Sequence, residues 1–255
     1  MNATAMTLSQ LRYVNKAFWR NPASTFFTFA LPLMFLAIFT ALLGNGDILL
    51  GGRSVQLSTY YVAAMTSFAV ITACFNNIAT SLTFQRDIGV LKRTNGTPLP
   101  AGIYLTARVL HAVLVSMLLV AITVAFGSLA YHADLPTGAT LGRFLIALAV
   151  GSASFCALGF AVTAVIPNAD AAAPVVNATI LPLLFVSGIF VPVGDDAPAW
   201  LTWTSRVFPV KHFADGIQAG FVGTTFHWSD VLAVAGWGLA GLLLAVRFFS
   251  WEPRT

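Results

Sequence analysis

Six long apolar stretches dominate the sequence: residues 24–43, 59–81, 104–130, 141–166, 171–193 and 230–250. A helix needs about 20 mostly apolar residues to cross the hydrocarbon core of a bilayer, and each stretch meets that length. Closed β-barrels also cross membranes, but they do so with short segments of alternating polarity. These runs are continuous, so the expected fold class is an all-α integral membrane protein with six transmembrane helices. Composition agrees. Of 255 residues 58% are hydrophobic and 9% charged, against about 25% charged in an ordinary soluble domain. Too little polar surface is left for a soluble enzyme, a disordered chain or a nucleic-acid module. The net charge of +4 rests on only 13 basic residues, too few to imply a polyanion partner.

Local signals refine the spans. Asn21-Pro22 is a helix-start pair ahead of the first, and Gly44, Gly46, Gly51 and Gly52 mark a loop after it. Tyr60-Tyr61 suits a headgroup boundary at the second. Residues 167–170 read as a tight polar turn between the fourth and fifth, with Asp170 expected to cap the fifth. The fifth contains Pro174 and Pro182, tolerable where neighbours satisfy the freed carbonyls. Gly151, Gly159 and Ala164 are candidates for close helix contacts. Cys74 and Cys156 lie in apolar runs and read as small buried hydrophobes rather than a disulfide or metal pair. The first apolar run exceeds the usual 7–15 residues of a signal-peptide core and is expected to stay in place as a span.

Positive charge orients the chain. With the N-terminus in the cytoplasm, Arg12, Lys16, Arg20, Arg86, Lys92, Arg93, Arg108, Arg247 and Arg254 fall inside, and only Arg53, Arg143, Arg206 and Lys211 outside. Nine against four predicts both termini in the cytoplasm.

Three non-spanning segments carry further information. Over residues 5–20, Leu8, Leu11, Val14 or Asn15, and Phe18 recur at helical spacing, with Arg12, Lys16 and Arg20 on another face. The pattern predicts a helix in the inner interface anchored by Trp19; a solvated leader is the alternative. Residues 82–103 are the one sizeable cytoplasmic loop. Its charged residues border a short amphipathic helix ended by Gly96, Pro98 and Pro100, unless it is a plain charged connector. Residues 194–229 begin with Asp195, Asp196 and Pro198. Trp200, Leu201, Trp203, Val207 and Phe208 then form an apolar face that breaks at Pro209, and Phe213, Ile217 and Phe221 continue it. Too short to span and too apolar for water, the segment fits two half-helices dipping into the outer leaflet.

Several chemistries find no residues. There is no Gly-x-x-x-x-Gly-Lys-Ser/Thr phosphate loop, Gly-x-Ser-x-Gly elbow or His-Glu-x-x-His helix. His111 lies inside the third span, where a protonatable group raises a functional question; hydrogen-bonded packing is its expected role and a proton relay the alternative. His132 and Asp134 alone make a weak metal site. The spans hold almost no Asp, Glu, Lys or Arg, which argues against an ion-driven carrier.

The loop after the second span resembles that of ABC-2 type transporter permeases, the family of daunorubicin-resistance-like and polysaccharide-export-like membrane subunits. Arg86, Asp87, Gly89, Leu91, Arg93, Thr97 and Pro98 match its motif. Gln85 replaces an acid that is usual there, and Thr94 a common leucine. The outer segment is similar too, through Ser187, Gly188, Phe190 and Pro192, then Pro198, Trp200 and Leu201, then Pro209 and Asp215, with Gln218 replacing a frequent basic residue.

The resemblance implies a permease subunit, not itself an enzyme, of an ATP-driven exporter in a bacterial inner membrane. Its cargo would be an amphipathic drug, lipid or lipid-linked molecule. A coupling helix with Gln85, Arg86, Asp87, Gly89, Leu91, Lys92, Arg93, Thr97 and Pro98 would dock on a separate ATP-binding subunit. ATP and Mg would sit on that partner, with no cofactor in this chain. Ser187, Gly188, Phe190, Pro192, Trp200, Leu201, Pro209 and Asp215 would close the extracellular end. Arg12, Lys16, Trp19 and Arg20 would belong to the interfacial helix. Two permeases, identical or related, and two ATP-binding subunits would complete the assembly among membrane lipids, with no nucleic acid. The rival expectations are an ion-coupled secondary transporter, an intramembrane lipid-processing enzyme using His111 and Ser116, and a scaffold.

Overall fold

The computed structural model describes residues 2–44, 46–50, 53–192 and 198–252. Asp195, Asp196 and Arg254 therefore lie outside the described residues. Among those described, six helices are long and apolar enough to cross a membrane. The chain opens with α1 (Ala3–Trp19) and α2 (Pro22–Leu43), divided at Asn21, whose side chain accepts from the Ser24 amide at 3.2 Å. With Pro22 at the first helical position, this is an ordinary helix start.

A feature absent from the sequence expectation comes next. Strands β1 (Asp47–Leu50) and β2 (Arg53–Gln56) pair antiparallel within the stretch read as a loop. The second span begins with α3 (Leu57–Ile71), passes through a π-helical segment (Thr72–Asn76) and continues as α4 (Asn77–Asp87). It is the hub of the bundle: 83% of its most apolar window is buried, against 17% for α2. The extra backbone of the π turn meets Gly159 on a neighbouring helix, where an added Cβ would lie 2.9 Å from the Phe75 carbonyl. Only a glycine lets the two backbones approach so closely.

After the short α5 (Val90–Asn95), α6 (Ala101–Tyr131) and α7 (Gly138–Val162) make the third and fourth spans, and α8 (Ala169–Val186) the fifth. The residue that caps α8 is Asn168, which accepts from the Ala171 amide at 2.9 Å. Asp170 lies inside the first turn instead. Asn168 has the extended backbone that a cap requires, and Asp170 is already helical. The fifth helix also ends earlier than its apolar run, at Val186, because Gly188 turns the chain with φ +80°.

Two short helices follow, α9 (Ala199–Val207) and α10 (Pro209–Val222), separated by the extended Phe208, before α11 (Trp228–Phe248) makes the sixth span. Pro209 starts α10 because its ring cannot continue α9 but suits a first turn. Fourteen residues reach about 21 Å, short of a bilayer core, yet Phe213, Ala214, Ile217 and Phe221 are buried among α3 and α7. A Cβ on Gly151 would sit 2.1 Å from the Phe213 ring, so α7 is notched to receive α10. Outward, α2 exposes Phe26, Phe27, Met34 and Leu42, and α11 exposes Leu232, Leu239, Leu243 and Val246. Such apolar surface suits lipid or another apolar chain, not water.

Candidate functional site

At one end of the bundle, the loop end, α4 stops against the turn between α7 and α8. Arg86 is 2% exposed. Its guanidinium donates to the carbonyls of Thr163 at 2.9 Å, Ile166 at 2.5 Å and Pro167 at 3.3 Å. The Thr163 carbonyl caps α7, where helix geometry leaves acceptors without intrahelical donors and a cation is favoured, and the other two lie in the turn beyond it. Asp87 acts in the converse sense, because its Oδ2 accepts from the Ala169 amide at the start of α8, at 3.2 Å. Two adjacent residues of opposite charge thus grip both sides of one turn.

Gly89 then reverses the chain in the left-handed region, φ +73°, and α5 runs back with Leu91 fully buried. Ile88, Lys92, Arg93, Thr97 and Pro98 remain exposed. Lys92 lies 3.5 Å from Glu252 in a solvent-facing pair, a contact worth little by itself. Thr97 closes its turn on the Thr94 carbonyl at 2.7 Å. The nine loop residues singled out from sequence accordingly divide. Arg86, Asp87 and Leu91 face the chain's own interior, Lys92, Arg93, Thr97 and Pro98 make an outward platform, and Gly89 shapes the bend between them. Gln85 belongs to neither group, since its side-chain oxygen accepts from the Tyr104 hydroxyl and the Arg108 guanidinium on α6.

Beside this loop, α1 lies against α6 with Val14 buried and Phe18 partly so, while Arg12, Lys16, Trp19 and Arg20 are exposed. Of the apolar positions at helical spacing, Val14 and Phe18 turn inward and Leu8 remains half exposed. Trp19 donates from its indole nitrogen to Asn15 at 3.1 Å.

At the opposite end, the motif residues after α8 form one knot. Ser187 is buried and donates to the Leu184 carbonyl at 3.2 Å. The Tyr60 hydroxyl donates to the Gly188 carbonyl, and Tyr61 to that of Phe190 at 3.4 Å. The Phe190 ring is surrounded by Phe35, Phe39, Phe68 and Phe185, with centroids 5.0–6.1 Å away, a geometry aromatic rings favour. Pro192 is partly exposed, and Trp200 and Trp203 of α9 point outward. Tyr60 and Tyr61, expected at a headgroup boundary, are instead buried ties. Only their contacts, invisible to hydropathy, reveal this.

Asp215 lies on a polar cavity of about 540 Å³ shared with Arg206, Lys211, His212 and Asp230. Lys211 donates to Asp215 at 2.6 Å. Burial pushes the Asp215 carboxyl above the usual range, with Lys211 opposing. Both His212 nitrogens meet acceptors, Asp230 at 2.7 Å and the Arg206 carbonyl at 2.8 Å.

Other candidates find less support. Ser116 donates to the Val113 carbonyl at 2.8 Å, and among the described residues no hydrogen bond joins it to His111. His111 is buried on α6. Its ring meets Phe18 edge-on at 5.2 Å, and its Nδ1 has no partner among the described residues. Nor do three metal-ligating side chains gather anywhere among them.

Among the described residues, five apolar helices around a sixth, the buried and interrupted second span, with a clamped loop at one end and two short helices at the other, define a multi-pass membrane protein. The sequence profile of the ABC-2 type transporter matches residues 7–222, and the chain belongs to that family as a transporter permease subunit. A daunorubicin resistance ABC transporter permease protein, DrrB1, of Streptomyces coeruleorubidus is 28% identical over 89% of this chain and 78% of its own. A protein of Porphyra purpurea described as a putative transport permease, ycf38, is 24% identical over 86% of this chain and 75% of its own.

Proposed function

We propose that the chain is the membrane half of an ATP-driven exporter that receives force at α5 and releases cargo at the end formed by α9 and α10. The observation that carries this reading is the Arg86–Asp87 clamp. The exposed platform of Lys92, Arg93, Thr97 and Pro98 is the surface a partner can reach, and Gln85, Arg86, Asp87, Gly89 and Leu91 fix it to the bundle. A push on α5 would therefore reach the α7–α8 turn through hydrogen bonds rather than a loose tether.

The partner is an ATP-binding subunit that carries ATP and Mg, because this sequence has no phosphate loop of its own. Two such subunits would serve two permease copies, apposed through exposed apolar faces such as that of α2. Positive-inside bias supports a reading in which the loop end and both termini face the cytoplasm, and the membrane would be a bacterial inner membrane. The α1 helix would lie on that surface through Arg12, Lys16, Trp19 and Arg20. Ser187, Gly188, Phe190, Pro192, Trp200, Leu201, Pro209 and Asp215 would then form the extracellular closure. Pathway walls lined by apolar side chains suit an amphipathic drug, lipid or lipid-linked cargo, in keeping with the drug-resistance name of one relative.

Charge reversal of the platform tests this reading. Lys92→Glu with Arg93→Glu should abolish co-purification of an ATP-binding subunit while leaving membrane insertion intact. Undiminished co-purification would contradict the docking role.

A further inference from the structure

A second polar cavity, of about 270 Å³, opens at the loop end between α1, the start of α2, α4 and α6. Its walls are mixed. Val14, Phe18, Ile78 and Phe84 give apolar surface, while Asn77, Ser81, Gln85, Arg108 and His111 give polar groups. One formal cation, Arg108, lines it, and no carboxylate does so among the described residues.

The electrostatics are unusual for a site beside a membrane interior. Arg108 bonds to Gln85 and, at 3.1 Å, to the Tyr104 hydroxyl, and its carbon lies 5.3 Å from the Tyr104 ring centre. These partners hold the guanidinium in place without neutralising it, because Gln85 is an uncharged acceptor. One turn along α6, His111 is 4% exposed and its Nδ1 has no partner among the described residues; the Arg108 Nε is also unbonded there. Both residues line the cavity, and its uncompensated positive charge marks a place for an anionic acceptor.

We propose that this cavity binds the phosphate of an anionic phospholipid, with Arg108 and His111 donating to its oxygens and the acyl chains leaving along Phe84 and α1. Basic pockets between membrane helices on the cytoplasmic side suit such headgroups. The site lies wholly within one chain, so the lipid would be a resident that fastens α1 to α6 rather than cargo. Only the choice of leaflet rests on the orientation proposed above.

The test uses the full-length purified chain, without an ATP-binding partner. It is loaded from vesicles of phosphatidylcholine with or without phosphatidylglycerol, and retained lipid is counted by native mass spectrometry. The expected result is one phosphatidylglycerol per chain and no comparable retention of phosphatidylcholine. Gln85→Glu would place a carboxylate against Arg108 with little change in size, and should lower phosphatidylglycerol retention by about tenfold. Arg108→Gln should do the same. Thermal unfolding of both variants separates loss of lipid from loss of fold. Inorganic phosphate at millimolar concentration is the competing arm: failure to displace the lipid supports a lipid headgroup, and full displacement overturns the lipid in favour of a free anion. Equal retention by Gln85→Glu and wild type, or equal retention of the two lipids, would overturn the site. No nucleotide or transport enters this readout, so its failure is distinct from failure of the export reading.

Discussion

Arg86 and Asp87, neighbours in sequence, hold the two sides of a turn that lies some 80 residues further along the chain. Arg86 takes the Thr163 carbonyl that caps α7 and two more in the turn beyond it, and Asp87 takes the amide that begins α8. Each charge meets the helix terminus whose orphaned groups complement it. Apart from any partner, the pair is structural.

Arg86→Ala should therefore destabilise the isolated chain. Two buried carbonyls, those of Thr163 and Ile166, would lose a charged donor, an effect of about 2–4 kcal/mol. Lys92→Ala, which removes an exposed pair, should change stability by less than about 0.5 kcal/mol. Thermal unfolding in detergent distinguishes the two; equal shifts would refute the division between clamp and platform.

Gly89 holds φ +73° with open space around its missing Cβ. Backbone strain, rather than collision, should set the cost of replacing it. Gly89→Ala is expected to cost about 1 kcal/mol and Gly89→Asn less, since asparagine tolerates the left-handed region. The order Gly, Asn, Ala, Val in melting temperature checks this, and an Ala variant as stable as wild type would contradict it.

The Phe213 ring fills the space that a Cβ on Gly151 would need. Gly151→Ala should destabilise by about 1–3 kcal/mol through overpacking. Phe213→Leu in the same molecule should recover part of that loss, giving a coupling of about 0.5 kcal/mol or more. Strictly additive effects would mean that α10 does not seat in the α7 notch.

Tyr60→Phe removes the hydroxyl bonded to Gly188 while keeping the ring. About 1 kcal/mol of stability should be lost, and amide exchange at residues 188–190 should rise. Unchanged exchange there would show that the turn is held by the Phe190 cluster and the Tyr61 bond without Tyr60.

Hydropathy reveals the six spans because a bilayer demands long uninterrupted apolar runs, and Pro209 announces the start of α10 because proline opens helices better than it continues them. The direction of Arg86 is hidden for a physical reason. A charge near a helix end can reach outward to water or inward to another helix's bare carbonyls, and its own neighbours do not say which. The same holds for the Tyr60–Gly188 tie, which joins residues 128 apart. Asn168 and Asp170 are both plausible caps, and only the backbone angles separate them. The hairpin escapes notice because four-residue strands are too short for their alternation to stand out. His111 is visible as an intramembrane ionisable group, but its Nδ1, unbonded among the described residues, emerges only once α1 and α6 are placed.

Reconstitution into liposomes tests the exporter reading most directly. The chain would be compared alone, with an ATP-binding subunit and ATP, and with that subunit carrying the Lys92→Glu and Arg93→Glu permease. Outward movement of an amphipathic dye should require the partner and ATP, and the double variant should abolish it. Full-rate movement by the chain alone, without nucleotide, would contradict an engine whose fuel is consumed on another polypeptide.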